Sequence, residues 1–156
     1  MSLSLDFRID NLSGQATRNL IARHLAGMRA NSPPESVHAL DIDGLRGPDM
    51  TFWSVWVADE IAGCGALKQL DDRRGEIKSM RVADKFLGRG VGRAILMHLI
   101  AEARARGMAS LWLETGSTDD FIPALRLYES AGFKRCGPFD QYIDDPFSVF
   151  MTKELL

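Results

Sequence analysis

Gly75-Glu76-Ile77-Lys78-Ser79-Met80-Arg81-Val82-Ala83-Asp84-Lys85-Phe86-Leu87-Gly88-Arg89-Gly90-Val91-Gly92-Arg93-Ala94-Ile95-Leu96-Met97-His98-Leu99-Ile100 runs from a strand through a glycine-rich turn into a helix, and this passage decides the fold. Gly75 to Val82 reads as the strand, and the helix is expected from about Gly90 to Arg106, closed by Gly107. Lacking Cβ atoms, Gly88, Gly90 and Gly92 let the backbone turn with positive φ and bring successive amides close to a ligand. Added to the unpaired donors of a helix start, those amides make a site for phosphate or pyrophosphate, with Arg89 and Arg93 as charge-assisted contacts. Two nucleotide patterns fail here. No Lys-Ser/Thr pair follows the glycines, and counting GxGxxG from Gly88 or Gly90 ends on Arg93 or Ile95. A strand–helix turn that needs glycine only for sterics remains the bland alternative.

Beyond that helix, Ser110 to Thr115 completes a strand–helix–strand crossover. A last helix follows Thr118-Asp119-Asp120, holds Pro123 in its first turn and stops at Gly132; Phe133 to Cys136 and Ser148 to Lys153 are the final strands. Upstream, Thr51 to Val57, Ile61 to Leu70 and Gly75 to Val82 form an antiparallel meander with a hairpin turn at Asp59-Glu60. Leu5 to Asn11 is a short strand. A first helix begins behind a cap at Ser13 and carries Leu20, Ile21, His24, Leu25 and Met28 at helical spacing. Asn31-Ser32-Pro33-Pro34 breaks it, and Glu35 to Leu45 is the place for a short second helix. The order predicts an α/β fold: a mixed central sheet, antiparallel in its N-terminal strands, with helices on both faces, in one domain over residues 1–156.

Bulk properties narrow the function. A hydrophobic content of 46% with 26% charged residues is ordinary for a globular chain, and no stretch nears the roughly 20 apolar residues of a membrane span. A net charge of −2, with scattered Lys and Arg, gives no footprint for nucleic acid. Met1 to Asp6 lacks the basic start and apolar run of a secretory leader, so a cytoplasmic location is expected. Cys64 and Cys136 form no CxxC pair and have no histidine at metal-ligand spacing; buried thiols and no metal are the reading.

The stretch from Gly75 to Ile100 resembles the acetyl-CoA-binding motif of the GNAT acetyltransferase family, Q/R-x-x-G-x-G/A between a strand and a long helix. Gly90 and Gly92 take its glycine places, and Leu87 stands where Gln or Arg is usual. The element order is similar to the GNAT fold over nearly the whole chain. The resemblance implies that acetyl-CoA is the cosubstrate. Backbone groups of Met80, Arg81 and Val82 would pair with its pantetheine arm, and the segment Leu87-Gly88-Arg89-Gly90-Val91-Gly92-Arg93 would hold its pyrophosphate.

A second family pattern, N-x-x-A-x-x-L-Y-x-x-x-G-F, is matched from Ala124 through Leu127-Tyr128 to Gly132-Phe133, with Phe121 in place of the Asn. It implies Tyr128 as general acid near the cofactor sulfur; the alternative is a helix tyrosine packed on the sheet. The base that deprotonates the amine is Glu76, as a strand glutamate often is in this family, or Glu114, which alternation places beside Trp112. Solvated or paired strand carboxylates are the competing reading for both. Lys78 and Arg81 fall on opposite faces of one strand and are expected to be solvated, so at most one could face a given pocket. By the same resemblance, Asn31 to His38 and the loop Gly137 to Pro146 border the acceptor site and are similar to a subgroup of small bacterial members. The implied activity is N-acetylation of an amine, small molecule before protein. The alternative is a non-catalytic acetyl-CoA-binding domain. A homodimer is compatible with the family, though no interface pattern is visible.

Overall fold

The computed structural model describes residues 3–156; Met1 and Ser2, at the head of the N-terminal stretch, lie outside the described residues. In chain order the elements are β1 Asp6–Ile9, α1 Gln15–Asn31, α2 Ile42–Leu45, β2 Met50–Val57, β3 Glu60–Gln69, β4 Arg74–Val82, α3 Val91–Ala105, β5 Ser110–Gly116, α4 Ile122–Ser130, β6 Lys134–Cys136 and β7 Ser148–Glu154. They build one seven-stranded sheet in the order β1-β2-β3-β4-β5-β7-β6. Every neighbouring pair is antiparallel except β4 and β5, which the α3 crossover makes parallel.

Two apolar layers sandwich the sheet. Ile95, Leu96, Leu99 and Ile100 recur along one stripe of α3 and bury against Trp53, Val55, Leu67, Ile77, Leu111 and Leu113, with Leu125 and Tyr128 of α4 joining the same layer. On the other face Leu20 and Ile21 of α1 and Leu45 of α2 meet Phe52, Cys64 and Ala66. Each fully buried Leu or Ile stabilises the fold by about 1.5–3 kcal/mol. The larger layer under α3 therefore carries most of the stability.

Two local expectations are corrected. The start of α1 is not capped by Ser13: Gly14 occupies the cap position without a side-chain bond, and the Ser13 hydroxyl donates instead to Asn11 Oδ1 at 2.6 Å. The segment 35–45 is not one helix. Pro33-Pro34 leads only into a 3-10 turn at Pro34–Ser36, and the chain restarts at the single turn of α2, where Asp41 Oδ1 accepts from the Gly44 amide at 2.9 Å.

The feature that shapes the site is a split between β4 and β5. Their pairing covers only Arg74–Glu76 against Ser110–Trp112, so from Ile77 onward β4 has no strand on that side. A bulge deepens the departure. Between Cys64↔Arg81 and Ala66↔Lys78, β3 advances two residues and β4 three, and Ser79 takes φ 53° to absorb the extra one. No helix among the described residues is long and apolar enough to cross a membrane.

Candidate functional site

A cavity of about 210 Å³ opens in this split. Tyr128 of α4, Glu76 of β4 and Glu114 of β5, the three sequence-predicted catalytic candidates, all line it, as do Met80 and Arg81. Val82 and the segment Leu87 to Arg93 do not; they stand beyond it, leading into and beginning α3.

Tyr128 is buried to 7% exposure on the α3/α4 side of the sheet. Burial, and secondarily the Glu114 carboxylate, push its phenol up to about 12, so at neutral pH it is a proton donor held in reserve. Glu114 alternates with Leu111 and Leu113, which face α3, and so reaches the split from the other face. Burial pushes Glu114 up to about 7, against the opposing pull of the Ser148 hydroxyl, which donates to its Oε2 at 2.8 Å, and of Lys78. A carboxylate poised there gives or takes a proton near neutrality.

Glu76 is held differently. It is 2% exposed, and its Oε2 accepts from Lys78 Nζ at 3.2 Å and from the Tyr142 hydroxyl at 2.6 Å. Lys78 Nζ in turn donates to Tyr142 Oη at 2.8 Å. The three heads are thereby joined in one buried hydrogen-bonded cluster. Burial, with the Glu76 charge next, holds the Tyr142 phenol far above its ordinary value, so it stays a donor.

The expected separation of Lys78 and Arg81 is overturned by the Ser79 bulge. The extra residue reverses the alternation, and both side chains line the cavity. Lys78, 9% exposed, is not a solvated strand charge. His24, read as a helix-face histidine, is buried with Nδ1 unpartnered and faces the same cavity; burial and then Arg81 lower it to about 4, so it is neutral.

The two segments expected to border the acceptor site come together. Ser36 Oγ donates to Asp145, and His38 packs edge-on to Tyr142 with ring centroids 5.1 Å apart. Asn31, His38 and Ala39 line the cavity, but no residue of the loop 137–146 does, so that half of the expectation is corrected: the loop packs on residues of the wall instead. Phe139 packs on Trp112, Tyr142 and Phe150, pinning the loop to β5 and β7. Phe121, which stands where the family pattern has Asn, presses its ring so close to Gly116 that an added Cβ there would lie 2.0 Å away. It gives the cavity an apolar wall where an amide was expected.

Of the three glycines expected to turn with positive φ, two do so; Gly92 instead lies in the first turn of α3 with a helical backbone. Gly88 and Gly90 take φ 71° and 84°, and nothing lies within 4 Å of a Cβ placed on either. The first backbone bond into α3 runs from Ala94 N–H to the Gly90 carbonyl at 3.1 Å, which leaves the helix-start amides of Val91, Gly92 and Arg93 pointing out of the turn. Leu87 is 61% exposed beside them. Both cysteines are free, Cys64 buried and Cys136 half-buried, and among the described residues no cluster of metal-ligating side chains is present.

Comparison with known proteins decides the family. The acetyltransferase (GNAT) family matches residues 17–133, a span that holds the split, the glycine turn and the Leu127-Tyr128 pattern. The chain belongs to the GNAT acetyltransferase family. It is 54% identical to the uncharacterized N-acetyltransferase YsnE of Bacillus subtilis (strain 168), over 97% of this chain and 100% of that one. It is 47% identical to the uncharacterized N-acetyltransferase YedL of Escherichia coli (strain K12), over 95% and 93%. A crystal structure from Klebsiella pneumoniae, assigned to the acyl-CoA N-acyltransferases, superposes with a TM-score of 0.79 over 97% of this chain and 98% of its own, at 26% identity. This GNAT protein is an acyltransferase, and acetyl transfer is the chemistry its relatives are named for.

Proposed function

We propose that this GNAT protein transfers an acetyl group from acetyl-CoA to the amine of a small molecule, with Tyr128 as general acid and Glu114 as general base. The observation that carries the reading is that a reserve proton donor and a carboxylate poised near neutrality reach one cavity from opposite faces of the sheet.

The residues present fit acetyl-CoA. Unpaired main-chain groups from Met80 to Val82 on the open side of β4 suit the amides of a pantetheine arm, added like one more strand. The cradle at Gly88 to Arg93, flanked by the Arg89 and Arg93 guanidiniums, suits a pyrophosphate. The bound thioester supplies the activated acetyl carbonyl. Glu114 takes a proton from the incoming ammonium, and the Tyr128 hydroxyl protonates the departing sulfur as the carbon–nitrogen bond forms and the carbon–sulfur bond breaks. The nitrogen sheds two protons, the sulfur gains one, and one leaves to solvent. Glu76 serves as a positioning residue: its Oε2, engaged by Lys78 and Tyr142, ties the loop 137–147 to β4. A cavity of about 210 Å³ suits a small amine better than a folded protein surface.

Thiol release from acetyl-CoA across a panel of amines tests this. Turnover with at least one small amine, and its near-abolition in Tyr128→Phe, is expected. Stabilisation by acetyl-CoA without turnover on any amine would overturn it.

A further inference from the structure

One part of the cavity wall has no role in either proton transfer. Arg81, 28% exposed at its side chain, has as its nearest carboxylate Asp84 at 3.9 Å. Asp84 is already engaged by Arg23 Nη2 at 2.8 Å. The other cation of the cavity, Lys78, is matched by Glu76. Arg81 is thus a guanidinium facing a cavity without a hydrogen-bonded counter-charge. Beside it on the wall stand two buried polar groups with no partner among the described residues, His24 Nδ1 and Ser79 Oγ. Such groups cost stability unless something satisfies them.

The position of Arg81 is also built rather than incidental. The Ser79 bulge turns it onto the α1 face, and α1 receives it at Gly27, where a Cβ would stand 3.1 Å from Nη1. A Cβ at 27 would oblige the guanidinium to shift by a few tenths of an ångström.

We propose that Arg81, His24 and Ser79 form a carboxylate-binding subsite for the acceptor, so that the amine acetylated by this enzyme is a small zwitterion of the amino-acid class. The inference rests on the cavity being the acceptor side of an acetyltransferase. A planar guanidinium takes a carboxylate in paired hydrogen bonds, a hydroxyl adds a third donor, and a neutral imidazole keeps one N–H to give. With the carboxylate held on β4 and α1, the amine is left for Glu114 and Tyr128 across the split. Protein N-termini and lysines offer no carboxylate next to the amine, and polycationic acceptors meet Arg81 with like charge.

The test is acetyl-CoA-dependent thiol release with the twenty common amino acids, each beside its carboxamide, on wild type and Arg81→Gln. At least one amino acid is expected to exceed its amide by about tenfold or more in kcat/KM. In Arg81→Gln that preference collapses through the acceptor KM, with the KM for acetyl-CoA unchanged. A binding readout runs alongside: with coenzyme A present, N-acetyl amino acids should raise the Tm of wild type above their amides, and Arg81→Gln should erase the difference. Amides matching acids in both readouts would overturn the proposal, as would an Arg81→Gln effect confined to acetyl-CoA. A carboxylate-dependent Tm shift without turnover on any amine would sink the acetyl-transfer reading and leave the subsite standing; neither shift nor turnover would sink the subsite.

Discussion

The donor half and the acceptor half of this site are built in different ways. The proposed cradle for acetyl-CoA is one unbroken stretch, β4 to the first turn of α3, and its function lies in backbone groups: an open strand edge, two left-handed glycines and free helix-start amides. The proposed acceptor half is assembled from α1, the segment after it, β4, β5 and α4, and its function would lie in side chains. Main-chain chemistry tolerates a change of side chain, and side-chain chemistry does not. On this proposal Leu87 would replace a Gln or Arg in the cradle at small cost, whereas Phe121 for Asn changes the character of a cavity wall.

That difference can be broken on either side. Tyr128→Phe should have the largest effect, lowering kcat by about 10²–10³-fold while acetyl-CoA affinity, read by calorimetry, stays at the wild-type level. Gly90→Val should do the opposite. Forcing a β-branched residue to φ 84° costs about 1–2 kcal/mol, so acetyl-CoA affinity should fall about tenfold with little change in acceptor KM. Tyr142→Phe removes the shortest bond to Glu76 and should lower stability by about 1–3 kcal/mol, measured by denaturant melts, while raising acceptor KM.

The smallest effect is on pH. Burial holds His24 at about 4 in the fold against an ordinary 6.5, so its contribution to stability is complete above pH 6.5 and is lost as pH falls toward 4. Glu114 works with the opposite sign: raised from 4.5 to about 7, it contributes below pH 4.5 and that contribution is lost as pH rises through 7. His24→Leu should flatten the acid side of the stability profile alone.

The same contrast governs which parts of the molecule are legible in the sequence. The meander, the crossover and the glycine turn are legible because each is specified by neighbours within a few residues: period-2 runs, helical spacing, and glycines where φ must be positive. The place of Tyr128 at the cavity is legible through a local pattern, Leu127-Tyr128 before Gly132-Phe133. The acceptor wall is not. Tyr142 meets Glu76 across 66 residues of chain, and Ser148 meets Glu114 across 34. The placement of Lys78 and Arg81 turns on a bulge at Ser79, a residue type that gives no sign of a left-handed φ. The end of the β4–β5 pairing after Glu76 leaves no mark in either strand, because the same β-favouring residues continue past it. Segment 35–45 misled for a further reason: Pro33-Pro34 marks where a helix stops but does not specify the conformation of the chain beyond it.

In the proposed mechanism the proton of the incoming amine leaves through Glu114. The pH dependence of kcat/KM, with the best amine of the panel and with wild type, Glu114→Gln and Glu76→Gln compared, tests it most directly. An acid limb near pH 7 is predicted in wild type and in Glu76→Gln, absent from Glu114→Gln together with a loss of about 10²–10³-fold in rate. An acid limb that persists in Glu114→Gln and disappears in Glu76→Gln would contradict it.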